Sequence, residues 1–118
     1  MTMKTSTQIK SKILELCSES EYGSWEFWSD RDNKTADECE QIFQALVSLV
    51  EEKMIVPTEH KYVKDQSYDE VSLDFARLAD ELTRSMTPYN VDPESFYWFY
   101  ATDQGKEKDL SDRRAQSQ

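Results

Sequence analysis

The chain has 118 residues, the usual size of one domain, and its 24 acidic residues outnumber its 14 basic ones, giving a formal net charge of −10. This length excludes a multidomain enzyme. The acidic balance argues against a protein that binds nucleic acid electrostatically, because a phosphate backbone attracts a basic face. Aromatic residues make up 12 % of the chain, which argues against global disorder, since disordered chains are poor in them.

The sequence indicates a cytoplasmic protein with free thiols. No run of about 18 apolar residues predicts a transmembrane helix, and the polar residues 1–7 lack the apolar centre of a signal peptide. Two cysteines, Cys17 and Cys39, and the single His60 are too few for a zinc site. We expect both thiols to be buried and free, with a Cys17–Cys39 disulfide as the alternative in an oxidising compartment.

The N-terminal part of the chain predicts one long and one short element. Residues 1–6 are polar and are expected to be frayed. Apolar residues at positions i, i+4, i+7 and i+8 predict a first helix at about 7–18. The aromatic segment 22–28 is compatible with a short strand or a short helix, and Ser24 as a possible N-cap favours the helix.

The third predicted helix has the strongest local signals. Thr35 and Glu38 have the spacing of a capping box, in which each side chain accepts a hydrogen bond from the other residue's backbone N–H. An apolar stripe follows over about four turns, which predicts a helix at about 36–53. Lys53 would lie at its C-terminus, where a cation complements the helix dipole.

Three segments predict strands. The segments 54–57 and 61–63 have the character of short extended pieces, and Pro57 is expected at an edge or a bend because it cannot donate a ladder hydrogen bond. Residues 96–101 are the strongest strand candidate, since five of these six residues are aromatic.

A fourth helix is predicted between these strand segments. Residues 67–70 have the pattern of a second capping box, apolar residues follow at helical spacing, and Pro88 ends the run, so the helix is expected at about 68–86. The polar residues 106–118 are expected to form a flexible tail. The single domain is therefore expected to span residues 7–105.

The order of helix, short helix, long helix, strand and strand resembles that of winged helix-turn-helix domains. The segment 46–56 (LVSLVEEKMIV) is similar to the end of the third helix and the start of the first wing strand in that family. The segment 97–105 (YWFYATDQG) is similar to the closing strand, which runs into a Thr-x-x-Gly turn and a further helix. The segment 22–28 is similar to the second-helix region of small bacterial proteins of this shape.

This resemblance implies an α+β fold with three N-terminal helices and a small antiparallel sheet. It covers roughly residues 7–105. The predicted helix at 68–86 lies where the tip of the wing hairpin normally lies, so it would be a helical insertion in the wing. The segment before the third helix also lacks a regular helix-turn-helix corner, and another small α+β fold remains the alternative.

Charge argues against the DNA-binding role that the winged-helix resemblance implies. The third helix of such a domain enters the major groove, and Gln41, Gln44 and Ser48 could contact base edges. However, residues 35–52 contain five carboxylates and neither lysine nor arginine, a local charge of −5 that would meet the DNA phosphates. Direct DNA binding is therefore not favoured, and a DNA-binding regulator is kept as the alternative function.

The sequence shows no pattern that predicts an enzyme, a metal site or a cofactor. A Cys–His pair would need His60 beside a cysteine on a buried helix face, and two glycines are too few for a phosphate-binding loop. Asp30, Asp32 and Asn33 resemble the start of a calcium loop, but the required glycine and closing glutamate are missing.

The aromatic strand allows two interpretations. Strand alternation places Phe96, Trp98 and Tyr100 on one face and Tyr97 and Phe99 on the other. If helices cover both faces, all of these residues belong to the core. If one face is open, it forms an aromatic patch with an acidic rim, a composition typical of protein-binding surfaces.

Taken together, these features predict a non-enzymatic domain that binds a basic protein, as acidic inhibitors and immunity proteins of nucleases do. Complementary charge would speed the encounter and could block a nucleic-acid-binding cleft. The partner's identity and the oligomeric state do not follow from the sequence. The expected contact residues are Asp37, Glu40, Gln44, Asp74, Asp80, Glu81, Tyr97 and Trp98.

Overall fold

The computed structural model describes residues 6–30, 32–62 and 67–116, which form a mixed α+β fold. This confirms the predicted α+β class. Short 3₁₀ turns occur at Ser24–Glu26 and Pro88–Asn90. The elements of the described residues are, in chain order, α1 (Ser6–Glu19), β1 (Tyr22–Gly23), α2 (Ala36–Glu51), β2 (Ile55–Tyr62), β3 (Ser67–Glu70), α3 (Phe75–Arg84), β4 (Tyr97–Ala101) and α4 (Asp103–Gln116).

The sheet is antiparallel and has the strand order β1-β4-β2-β3. The aromatic strand β4 is therefore an inner strand, with β1 on one side and β2 on the other. Residues directly opposite each other share a face of the sheet, so Phe99 lies beside Tyr22 on β1 and Pro57 on β2. The helices pack against this face, and the core includes Ile13, Ile42, Leu46, Leu49, Ile55, Leu78, Leu82 and Phe99.

Helix α2 begins as predicted, but its capping box is only half formed. The Thr35 side chain accepts a hydrogen bond from the Glu38 backbone N–H at 3.1 Å. The Glu38 carboxylate does not return to Thr35; it accepts from the backbone N–H of Ser29 at 2.7 Å. Glu38 therefore attaches the preceding loop to the helix, a contact between distant positions that the local motif did not predict.

The C-terminus of α2 is closed by a Schellman motif. The backbone N–H of Met54 donates to the Leu49 carbonyl at 2.9 Å, and that of Lys53 donates to the Val50 carbonyl at 3.0 Å. Lys53 has a φ of 62°, in the left-handed region that favours glycine. The predicted helix at 36–53 is thus confirmed, except that it ends at Glu51, with Glu52 as its C-cap and Lys53 one residue further on.

We expect Lys53→Gly to raise the free energy of unfolding by about 0.5–1 kcal/mol, because glycine removes the steric cost of the left-handed conformation. Urea denaturation followed by tryptophan fluorescence measures this change. Lys53→Ala is the matched control, since alanine loses the side chain but keeps the strain. A glycine variant no more stable than the alanine variant would contradict the prediction.

The predicted capping box at 67–70 is wrong, since Ser67–Glu70 is strand β3. The edge strand forms because its residues pair with β2, with Glu70 opposite Thr58. Helix α3 begins only at Phe75, and Asp74 is its N-cap, accepting from the Arg77 backbone N–H at 3.2 Å. Competition from strand pairing thus shortens the helix expected at 68–86.

Strand β2 unites the two extended pieces predicted at 54–57 and 61–63, although residue 63 lies outside the described residues. It is an inner strand, so the expectation that Pro57 lies at an edge or a bend is wrong. The Pro57 carbonyl accepts from the Val71 backbone N–H at 3.1 Å. In an antiparallel strand the N and C=O of one residue point to the same side, so the missing N–H faces the β3 side and the β2–β4 ladder loses no donor.

The segment 22–28 contains both a short strand and a short helical turn, the two structures with which its sequence is compatible. Tyr22–Gly23 is strand β1, and the 3₁₀ turn follows with Gly23 rather than Ser24 as its N-cap. The Gly23 backbone N–H donates to the Glu26 carboxylate at 2.7 Å. In place of three N-terminal helices, the described residues therefore contain α1, one 3₁₀ turn and α2.

Most of the expected polar tail is helical. Thr102 begins α4 by accepting from the Gly105 backbone N–H at 3.0 Å, and Arg113 joins the α4 carboxylate of Asp109 to Glu19 of α1. Residues 1–5 and 117–118 lie outside the described residues, and Ser6, expected as frayed, begins α1. Among the described residues, no helix combines the length and the apolar character that crossing a membrane requires.

Candidate interaction surface

Helices α2 and α3 pack side by side, and their outer faces form one surface, which we call the α2–α3 surface. At its centre the Phe43 and Phe75 rings are 6.3 Å apart in an edge-to-face arrangement, and Phe75 is 49 % exposed. Three of the residues predicted as partner contacts, Asp37, Glu40 and Gln44, lie exposed on the α2 side. Asp80 is exposed on the α3 side, so four of the predicted residues are exposed on the two helices that meet at this aromatic contact.

The α2–α3 surface carries negative charge. Helix α2 contains no lysine or arginine. Glu40 accepts a hydrogen bond from the Gln44 side-chain amide at 2.8 Å, which leaves its charge uncompensated. Asp80 lies 3.8 Å from Arg84, and both side chains are largely exposed, so water screens this pair strongly. A cationic partner would therefore meet a favourable potential here.

Asp74 lies at the end of this surface and stabilises the fold as the N-cap of α3. It is exposed, but its carboxylate caps α3 through the Arg77 backbone N–H. The Asp74 backbone N–H in turn donates to the Tyr97 hydroxyl at 2.9 Å. Asp74 thus couples the start of α3 to the sheet, and a partner would contact only the outer part of its carboxylate.

Glu81, predicted as a partner contact, is buried, so that expectation is wrong. Its side chain is 2 % exposed and accepts three hydrogen bonds, from the Ser24 hydroxyl at 2.8 Å, the Tyr97 backbone N–H at 2.8 Å and Arg77 Nε at 2.9 Å. Burial raises the pKa of the Glu81 carboxyl, and these donors oppose the rise. Helical periodicity placed Glu81 on the polar face because it could not show these donors.

Tyr97, the other misassigned contact, is 1 % exposed and lies below Arg77. The Arg77 guanidinium is 4.0 Å from the centre of the Tyr97 ring, pairs with Glu59 and donates to the Ser95 carbonyl at 2.7 Å. All of these contacts are internal. The Arg77 guanidinium therefore holds α3 against the sheet, and Glu59 and Glu81 balance its charge.

The other face of the sheet is a half-open aromatic face. The strand alternates as predicted: Tyr97 and Phe99 are buried, whereas Trp98 and Tyr100 are half-buried. Trp25 packs edge-to-face on Trp98, with ring centres 5.1 Å apart. Trp98 is thus the eighth predicted residue, and it lies on the sheet rather than on the α2–α3 surface.

The hydroxyl of Tyr100 on this face donates to the Glu70 carboxylate at 2.7 Å. This hydrogen bond, together with burial, raises the pKa of Tyr100 to about 12, because ionisation would place two negative charges in contact. The bond connects β4 to β3 across β2. It makes the outer part of the aromatic face polar.

The cysteines are free, as predicted. Cys17 is buried and Cys39 is half-buried, and burial raises the pKa of both thiols above the usual range. Such thiols are weak nucleophiles at neutral pH. In the segments described, no group of three or more His, Cys, Asp or Glu side chains is placed to hold a metal ion.

The exposure of Phe75 beside Phe43 is the feature that sequence reasoning missed, since both rings belong to predicted apolar stripes. Phe75 follows the N-cap Asp74 directly and so lies at the very start of α3. A residue in the first turn of a helix extends past the core that the later turns cover. The corrected N-cap position is the signal that would have identified it.

Comparisons with known proteins identify no relative. No protein-family model matches the chain, no curated protein matches it, and no solved structure matches it. The geometry and charge of the chain are therefore the grounds for a functional proposal.

Proposed function

We propose that this chain is a non-enzymatic protein-binding domain that binds a basic protein through the α2–α3 surface. The observation that carries the proposal is the Phe43–Phe75 contact between α2 and α3, in which the Phe75 ring is exposed, on two helices that also expose the carboxylates of Asp37, Glu40 and Asp80. Protein interfaces combine an apolar centre with a polar rim. Opposite charge accelerates the encounter and selects the partner.

The partner class we propose is a basic protein that itself binds nucleic acid, such as a nuclease. A cleft that binds a phosphate backbone is lined by cations, and the row of carboxylates on α2 is complementary to it. The domain would then act as an acidic inhibitor or immunity-type protein and would require no catalytic group of its own. A net charge of −10 for the chain agrees with this role.

The winged-helix likeness is part of the same proposal. The order of α1, β1 and α2 before the β2–β3 hairpin, with β4 between β1 and β2, supports it. Helix α3 would be the insertion between the wing and the closing strand. In this arrangement α2 takes the place of a recognition helix, with carboxylates where a DNA reader carries cations, which supports a protein partner in preference to DNA.

The proposal is tested by affinity capture from a lysate of the source organism at two salt concentrations, with nuclease treatment. We expect a basic protein to be retained after nuclease treatment and released at high salt. Retention of nuclease-sensitive DNA without a protein would contradict the proposal and favour the regulator.

Charge reversal locates the surface that binds. We expect Glu40→Lys and Asp80→Lys each to weaken the captured interaction by roughly tenfold at low salt, because each turns an attraction into a repulsion. Glu107→Lys on exposed α4 is the matched control, with the same change of charge away from the surface. Equal losses for all three variants would show that only the net charge matters and would remove the α2–α3 surface from the proposal.

A further inference from the structure

A cleft of about 590 Å³ opens where α2 begins and α3 ends. This volume falls within the range of ligand-binding pockets. The cleft lies beside the α2–α3 surface, since the loop that enters α2 forms one wall and the end of α3 forms another. The lining residues that matter here are Trp25, Glu26, Trp28, Asp32, Lys34 and Ser85.

Two tryptophans provide the aromatic walls, and both are held in place. The buried Trp28 donates from Nε1 to the Ser85 hydroxyl at 3.0 Å. Trp25 packs edge-to-face on Phe96, with ring centres 5.9 Å apart, and a Cβ at Gly23 would come within 2.1 Å of its ring. Glycine is thus needed at position 23 so that Trp25 can lie against the backbone.

The charges in the cleft favour a cation. The Lys34 ammonium is already engaged: it donates to the Ser85 carbonyl at 2.7 Å, at the C-terminus of α3. Glu26 uses one carboxylate oxygen to accept from the Gly23 backbone N–H. Asp32 is exposed and lines the cleft. Two carboxylates thus face one lysine, whose ammonium lies within the cleft, 5.6 Å from the centre of the Trp28 ring.

We infer that this cleft binds one arginine side chain presented by the partner, with the guanidinium against Trp25 and paired with Asp32. The inference rests on the proposed binding of a basic protein and adds its anchoring position. Arginine fits better than lysine because its planar guanidinium stacks on an indole and pairs with a carboxylate in one plane. Arginine and tryptophan are among the residues that most often form binding hot spots.

The test uses four blocked tripeptides, acetyl-Gly-X-Gly-amide, with X as arginine, lysine, citrulline or glutamate, titrated into the full chain. The chain has 3 tryptophans, so their indole N–H signals in NMR report separately on Trp25, Trp28 and Trp98. We expect the arginine peptide to shift the Trp25 signal most. Citrulline, which is planar but uncharged, should bind roughly tenfold more weakly.

Asp32→Asn should weaken binding of the arginine peptide roughly threefold, and Glu107→Gln on α4 should leave it unchanged. Both positions are exposed, so both variants keep the fold. Equal binding of lysine or citrulline, absence of a shift at Trp25, or no effect of Asp32→Asn would each overturn the inference. A blocked tripeptide with glutamate that bound instead would identify an anion site at Lys34.

This test is independent of the partner. If a basic protein is captured through Glu40 and Asp80 but the arginine peptide does not bind, only the arginine cleft is wrong. If the peptide binds but no basic protein is captured from the lysate, the proposed function is wrong.

Discussion

Glu81→Ala should lower the free energy of unfolding by about 3–5 kcal/mol, because it removes one of the two carboxylates that pair with the half-buried Arg77 guanidinium. It also removes the acceptor for the Ser24 hydroxyl and for the Tyr97 backbone N–H. A buried donor without an acceptor costs about 1–3 kcal/mol by itself. The network joins α3, the 3₁₀ turn and β4, so its loss weakens three parts of the fold together.

Urea denaturation followed by circular dichroism measures this loss. Asp80→Ala is the matched control on the same helix: its side chain is 65 % exposed, and its removal should change the stability by no more than about 0.5 kcal/mol. If Glu81→Ala does not fold, Glu81→Gln keeps the acceptor oxygen and should lose about 1–3 kcal/mol. A loss below about 1 kcal/mol in Glu81→Ala would contradict this account.

Gly105→Ala should destabilise the protein by about 1–3 kcal/mol, although alanine is the better helix former. A Cβ at Gly105 would lie 2.0 Å from the Met54 carbonyl oxygen, and backbone cannot move aside as a flexible side chain can. That carbonyl also accepts the Thr102 backbone N–H at 2.9 Å. Helix α4 would therefore have to shift away from the turn that follows α2.

Helix propensity alone predicts the opposite sign, a gain of up to about 1 kcal/mol. Gln104→Ala is the matched control, because Gln104 is an exposed neighbour on the same helix turn and should change the stability by no more than about 0.5 kcal/mol. Thermal unfolding of the three proteins distinguishes the two signs. A Gly105→Ala protein that melts above the wild type would show that the close contact with Met54 can relax.

Elements with strong local signals were predicted closely. Periodicity alone located α1, and the Thr35 cap with the apolar stripe located α2. The five aromatic residues located β4 and its alternation. In each case the burial pattern is a property of one continuous segment, so the segment contains the information that decides it.

Elements that depend on distant partners were predicted wrongly. Residues 67–70 carry a helix-start pattern, but pairing with β2 makes them strand β3. Helix α4 has Leu110 as its only large apolar residue, and that side chain is 53 % exposed, so hydropathy gave no sign of a docked helix. Helix α4 packs closely on the Met54 carbonyl because Gly105 has no side chain, and Arg113 forms an ion pair with Glu19 of α1. Neither feature produces a periodic pattern in the sequence.

Among the predicted contact residues, too, exposure was predicted correctly where it depends on one helix and wrongly where it depends on other elements. Asp37, Glu40, Gln44 and Asp80 lie exposed as predicted, because helical periodicity separates outer from inner faces. Glu81 was misplaced, because a buried carboxylate has the same sequence pattern as an exposed one. Only the positions of its three donors, which come from other elements, make its burial favourable.

The sequence by itself determined the size of the domain, its acidic charge, the α+β class, two helices and the central strand. These follow from composition and from periods of 2 and 3.6 residues, which are local quantities. The tertiary structure decided the β2–β3 pairing, the docking of α4, the contact of the exposed Phe75 with Phe43 and the cleft beside Trp25. Each of these depends on contacts between residues far apart in the chain, whose free energy no single segment contains.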